Sequence, residues 1–419
     1  MRGHRTPVIG AVLTALVVAV ALVTYLLVRS DPYVAPTPSG PVAKADPTGA
    51  AHVLGAFEDA VTARDPESAD ALAPASDAAA AELLAAVVEN AEDLQVTEFT
   101  ARYVDAVGAV DPTGRWQAAV DLTWRFDEFD AEPVHEEVLV GFQRDAEDGT
   151  VGITSIGGGD RRSPLWLSGP LEVRRSDRSL VLVAGSPEEA DLVAQRAEAA
   201  VPVVQQVLPQ WRGRLVVEVP ASEAGLDAAL AAEPGTYANI AAVSASVDGS
   251  LTPDSEVHVF VNPTVYEGLD EVGGQVVMSH EAAHVATGAP LTSGVPLWLL
   301  EGFADYVALH DVDLPLSTTA GQIIQQVRSD GPPDHLPGQT EFDDTTTHLG
   351  AAYESAWIAC VVLADEAGED ALVRLYAQVS RGRDLDEQLQ DLFGITEAEL
   401  TVRWQQRLRD LASATVTGT

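Results

Sequence analysis

The sequence predicts an α+β protein in two folded parts. A small helix-plus-antiparallel-sheet module comes first, then a larger domain with a sheet half followed by a helical half. Three observations carry this expectation. Segments of helical composition and apolar spacing, "AHVLGAFEDAVTARD" and "AAAAELLAAVVENAEDL", open the first part. In "RWQAAVDLTWRF", Trp116, Ala118, Val120, Leu122, Trp124 and Phe126 alternate with Gln117, Asp121, Thr123 and Arg125, the period of a half-buried antiparallel strand. Strand signals then recur up to "EVHVFVNP", and from Thr264 onward the pattern is mostly helical. A chain of 419 residues exceeds one ordinary core, and 46% hydrophobic residues are enough to build two.

At the N-terminus, Arg2 and Arg5 precede an uncharged run from Val8 to Val28 closed by Arg29. Such a run is long enough to span a bilayer as a helix and longer than the apolar region of a cleavable signal. The expectation is a single-pass signal anchor over residues 1–30, with the N-terminus cytoplasmic and the rest outside. A cleaved signal is the alternative, with Ala43-Lys44-Ala45 as its small-x-small site. Residues 31–50, rich in Pro, Gly, Ser and Ala, read as an extended tether. Residues 51–165 form the first module. In it "DPTG" supplies the turn between "FTARYVDAV" and the alternating strand. Its order of helices and then a long-stranded sheet is similar to cystatin- and NTF2-like modules. The larger domain occupies residues 166–411, with a tail at 412–419. "LEVRRSDRSLVLVAG" predicts a hairpin. Ser186, Pro187 and Glu189 then cap the start of a helix, and "RLVVEVP", "ANIAAVSAS" and "EVHVFVNP" predict strands.

Composition removes several functions. The net charge is −40 and Lys44 is the only lysine, so a phosphate backbone would be repelled and nucleic acid is excluded as a partner. Cys360 is the only cysteine, which rules out an internal disulfide or a cysteine-rich zinc site. Its setting, "SAWIACVVLA", is that of a buried small hydrophobe.

The chemistry concentrates in "MSHEAAHVATG". His280 and His284 are four apart, so on a helix both imidazoles reach one ion, while Glu281 can face a water on that ion. Downstream, "VPLWLLEGFADYVALH" starts a second helix near Pro296, with Glu301 and Asp305 again four apart. Their neighbours Trp298, Leu299, Leu300, Phe303 and Val307 are apolar, and carboxylates in so buried a helix need a partner that a cation supplies. His280, His284 and Glu301 make three ligands and leave a fourth tetrahedral position for water, the pattern of a catalytic zinc site. Asp305 is placed to accept the other ring N–H of a zinc histidine, His280 first.

"HEAAH" followed by "VPLWLLEGFADY" resembles the gluzincin zinc metallopeptidases, and within them the peptidase MA-like family, whose W-x-x-E-G-x-A-[ED]-Y helix supplies the third ligand. The likeness spans roughly residues 170–411. The metzincin pattern does not fit, because Thr287 and Pro290 stand where it needs Gly and His. The resemblance implies a thermolysin-like fold and a single Zn²⁺ per chain. It implies a peptide or protein substrate cut by zinc-activated water, with Glu281 as general base. It points to Tyr353 as the second electrophile for the oxyanion, and His348 is the other candidate. "EVHVFVNP" resembles the family's cleft-edge strand. Lacking a G-x-M-E-N-like segment to grip a free amine, the chain reads as an endopeptidase rather than an aminopeptidase. The competing expectation is a catalytically silent peptidase-fold protein that binds partners or scaffolds the envelope.

Overall fold

In the computed structural model, which describes residues 44–145, 147–342 and 349–414, the first described helix starts at Pro47. The Asp46 carboxylate accepts the Gly49 N–H and Pro47 takes the first helical position, so α1 (Pro47–Ala63) starts inside the stretch expected to be tether. The expected anchor at residues 8–28 lies outside the described residues. Among those described, no helix is long and apolar enough to cross a membrane.

Asp65 and Asp77 cap the next helices in the same way, α2 (Pro66–Asp70) and α3 (Ala78–Asp93). Four strands follow as an antiparallel meander: β1 (Val96–Val107), β2 (Arg115–Phe126), β3 (Val134–Arg144) and β4 (Val151–Ile156). The alternation in β2 is borne out, since Trp116, Ala118, Val120, Leu122, Trp124 and Phe126 are all buried. They pack against Leu54 and Phe57 of α1 and Leu84 and Val87 of α3.

The second sheet is mixed and ordered β5-β6-β7-β9-β8. β5 (Glu172–Arg175) and β6 (Ser179–Val183) form the expected hairpin. α4 (Pro187–Val207) then crosses to the parallel β7 (Leu215–Val219), with Ser186 Oγ accepting the Glu189 N–H at its start. α5 (Glu223–Leu230) leads to β8 (Ala242–Ser246) and β9 (Val257–Val261). Here one expectation is corrected. "EVHVFVNP" is not an edge, because β9 pairs with β7 on one side and β8 on the other, which leaves β8 outermost. A strand with neighbours on both sides and apolar groups on both faces reads as a near-continuous apolar run, whereas "AVSAS" has the small, partly polar character of an edge.

The remainder is helical: α6 (Pro263–Tyr266), α7 (Glu271–Thr287), α8 (Leu297–Ala308), α9 (Leu316–Thr319), α10 (Gly321–Asp330), α11 (Leu349–Ala367), α12 (Glu369–Val379), α13 (Leu385–Phe393) and α14 (Glu397–Ala414). The chain is therefore α+β in the coarse sense expected. The described residues from Ala45 onward form one compact unit, and the second sheet is covered on both faces. Val181, Val183, Val217, Val219, Val259 and Val261 pack onto the helices. Leu180, Leu182 and Val216, alternating with them, join the core of the first sheet together with Leu165, Trp166 and Leu167.

Candidate metal centre

α7 carries the two histidines. Asp270 caps it by accepting the Gly273 N–H, and Gly288 ends it in the left-handed conformation at φ 65°, with its N–H bonded back to the last turn. The spacing of four sets His280 and His284 on one face, and both are at least nine-tenths buried. α8 brings Glu301 to them and packs against α7 and α11. Gly302 lets α11 approach, because a Cβ there would stand 2.4 Å from the Ala356 carbonyl oxygen.

The three candidate ligand atoms form a near-equilateral triangle. His280 Nε2 is 3.0 Å from His284 Nε2 and 3.2 Å from Glu301 Oε2, and His284 Nε2 is 3.3 Å from the same oxygen. Atoms bound to one tetrahedral zinc at about 2.0–2.1 Å stand roughly 3.3 Å apart, so the triangle fits the ion. Among the described residues this is the one group of three or more His, Cys, Asp or Glu side chains close enough to share a cation. Behind it, Asp305 Oδ1 accepts from His280 Nδ1 at 2.7 Å, which puts the ring proton on Nδ1 and turns the Nε2 lone pair toward the triangle.

The electrostatics are those of a hole for positive charge. Burial opposes protonation of His280, yet Asp305, Glu301 and Glu281 together raise its pKa well above the ordinary value. Burial pushes the Glu301 carboxyl up, but His284 and His280 outweigh it and hold the group well below the usual carboxylate range. Without an ion, a proton on His280 offsets the carboxylates, and a divalent cation supplies the same balance with better geometry.

Glu281 lies in the same buried turn, with its carboxylate bonded to Ser244 of β8. Tyr353 on α11 faces His280, with ring centroids 6.0 Å apart, and packs edge-on against Phe342 at 5.0 Å. Burial, then the charges of Glu301, Glu281 and Asp305, push its hydroxyl pKa up, so it stays protonated and able to donate. A cavity of about 260 Å³ brings His280, Glu281, Asp305 and Tyr353 together beside Ala241, Ala242 and Val277. His348 lies outside the described residues. Cys360 is fully buried, and burial pushes its thiol pKa up, which suits packing rather than nucleophilic chemistry.

Ser244 was missed from sequence, because no local spacing links it to a residue 37 positions away. His258 was also passed over for want of ligand spacing. It is buried on the face of the second sheet turned to the first, with Nδ1 2.7 Å from Glu218 Oε1 and Nε2 3.1 Å from Asp130 Oδ1. Carboxylates only accept, so both ring nitrogens carry protons and His258 is an imidazolium. No protein-family model matches this chain, and no curated protein matches it significantly.

Proposed function

We propose that this protein is a zinc-dependent endopeptidase of thermolysin-like fold, similar to the gluzincins and anchored to the membrane with its folded part outside the cell. The observation that carries the proposal is the triangle of His280, His284 and Glu301, with Glu281 beside it and Asp305 behind it. A structural zinc site is normally closed by four protein ligands, whereas a set of three with a carboxylate base alongside suits hydrolysis.

His280, His284 and Glu301 would hold the ion, which when bound supplies Lewis acidity toward a scissile carbonyl and activates water for attack. The Glu281 carboxylate takes the proton released as that water adds, and returns it to the departing amine nitrogen. The Tyr353 hydroxyl donates a hydrogen bond to the negative charge that develops on the carbonyl oxygen. Asp305 fixes the His280 tautomer throughout. The open side of β8, which among the described residues pairs only with β9, offers main-chain groups to an extended peptide entering the cavity.

The test is cleavage of a diverse peptide library by the purified zinc-loaded chain, with Glu281→Gln beside it. We expect the wild type to cleave and the variant to bind equal zinc while losing activity. Equal zinc in both, and cleavage by neither, would overturn a broad peptidase and favour the silent binding protein.

A further inference from the structure

The side chain of Ser244 lies where the edge strand meets the metal centre. Its Oγ is 2.8 Å from Glu281 Oε2 and 3.1 Å from the Glu281 main-chain oxygen. A serine hydroxyl has one proton to give, and both acceptors belong to the same residue, so it stays on Glu281 whichever it serves. Among the described residues, no other side chain is hydrogen-bonded to that carboxylate. Ser244 is itself fixed, since it sits opposite Val259 in the β8–β9 ladder.

We infer that Ser244 is a positioning residue for Glu281, and the inference rests on the peptidase reading above. A glutamate carboxylate swings on three torsions, and a base must stand within hydrogen-bond reach of the proton it takes. The Ser244 hydroxyl holds one carboxylate oxygen and leaves the other free for that proton. The holder belongs to the strand that offers its open edge to the peptide. The base is therefore registered to the same element as the substrate, and not only to its own helix.

The experiment measures kcat and KM on a cleaved peptide for the zinc-loaded wild type, Ser244→Ala, Ser244→Thr and Glu281→Gln. Zinc affinity is followed by chelator competition, and binding of a peptide hydroxamate by calorimetry. Ser244→Ala should lower kcat about tenfold, the scale of one hydrogen bond to a charged group, with KM and zinc affinity within about twofold. Ser244→Thr, which keeps the hydroxyl, should recover most of the loss. The hydroxamate should bind about tenfold more weakly to Ser244→Ala, and adding that change to Glu281→Gln should weaken it no further. Wild-type kcat in Ser244→Ala while Glu281→Gln is inactive would overturn the positioning role and leave the peptidase intact. The same holds for a loss seen only in KM or in zinc affinity. A wild type that binds zinc and cuts nothing overturns the peptidase reading and this inference with it.

Discussion

Asp305 contributes by aiming another residue. Its carboxylate accepts from His280 Nδ1 and so decides which nitrogen faces Glu301 and His284. Outer partners of this kind are worth about 10–100-fold in metal affinity, so Asp305→Ala should weaken zinc binding by that factor in a competition titration, with the fold intact by circular dichroism. Tyr353 makes a sharper case. Tyr353→Phe keeps the ring against Phe342 and His280 and removes only the hydroxyl. On the proposed mechanism, in which this hydroxyl is an oxyanion donor, its loss should lower kcat about 10²–10³-fold while zinc affinity and melting temperature stay near wild type. An equal loss in zinc affinity would mean that the hydroxyl supports the ligands instead. Much of this site was legible from sequence because its parts are local. The i, i+4 pairs on α7 and α8 are read directly from helix geometry, and the apolar setting of Glu301 and Asp305 called for a partner. Ser244 and Glu281 share no local period, and no rule about spacing could have joined them.

Among the elements, α8 and α11 meet at Gly302, where a Cβ would collide with the Ala356 carbonyl oxygen at 2.4 Å and the carbonyl carbon at 2.6 Å. Backbone cannot step aside as a side chain can. Gly302→Ala should therefore destabilise by about 1–3 kcal/mol in a denaturant titration, and should disturb Glu301, its neighbour, more than a distant change of equal severity. The far side of α11 is held by Trp404 of α14, whose fully buried indole donates from Nε1 to the Ser355 carbonyl oxygen at 2.8 Å. Trp404→Ala should lower stability by roughly 3–5 kcal/mol, measurable by the same titration. Elements were predicted well where caps mark them, as with Ser186 and Pro187 at the start of α4, and where alternation is long, as in β2. Their order in a sheet was not. The chain reaches β9 after β8, yet β9 is inserted between β7 and β8, and only long-range pairing decides that. α1 starts earlier than the composition suggests, because Pro47, which looks like part of a proline-rich tether, is the first residue of a capped helix.

For the whole molecule, the His258 cluster ties the two sheets together. Burial opposes its charge, but the Asp130 and Glu218 carboxylates outweigh burial and push its pKa up to about 10. The folded value lies above that of the unfolded chain, near 6.5. The stabilisation is therefore complete below about pH 6.5 and is lost as pH climbs through about 10. His258→Phe leaves two buried carboxylates without their cation and should destabilise by roughly 3–5 kcal/mol at neutral pH. In thermal melts, the gap between wild type and variant should close as pH rises toward 10. Nothing local foretold this cluster, since Asp130 and His258 are 128 residues apart.

The sharing of Leu180, Leu182 and Val216 with the first core has a consequence for ancestry. The second sheet and its helices, copied elsewhere in a genome without the first 165 residues, would carry a bare, greasy sheet face and a His258 that has lost Asp130. Gene shuffling would be expected to move these two parts together.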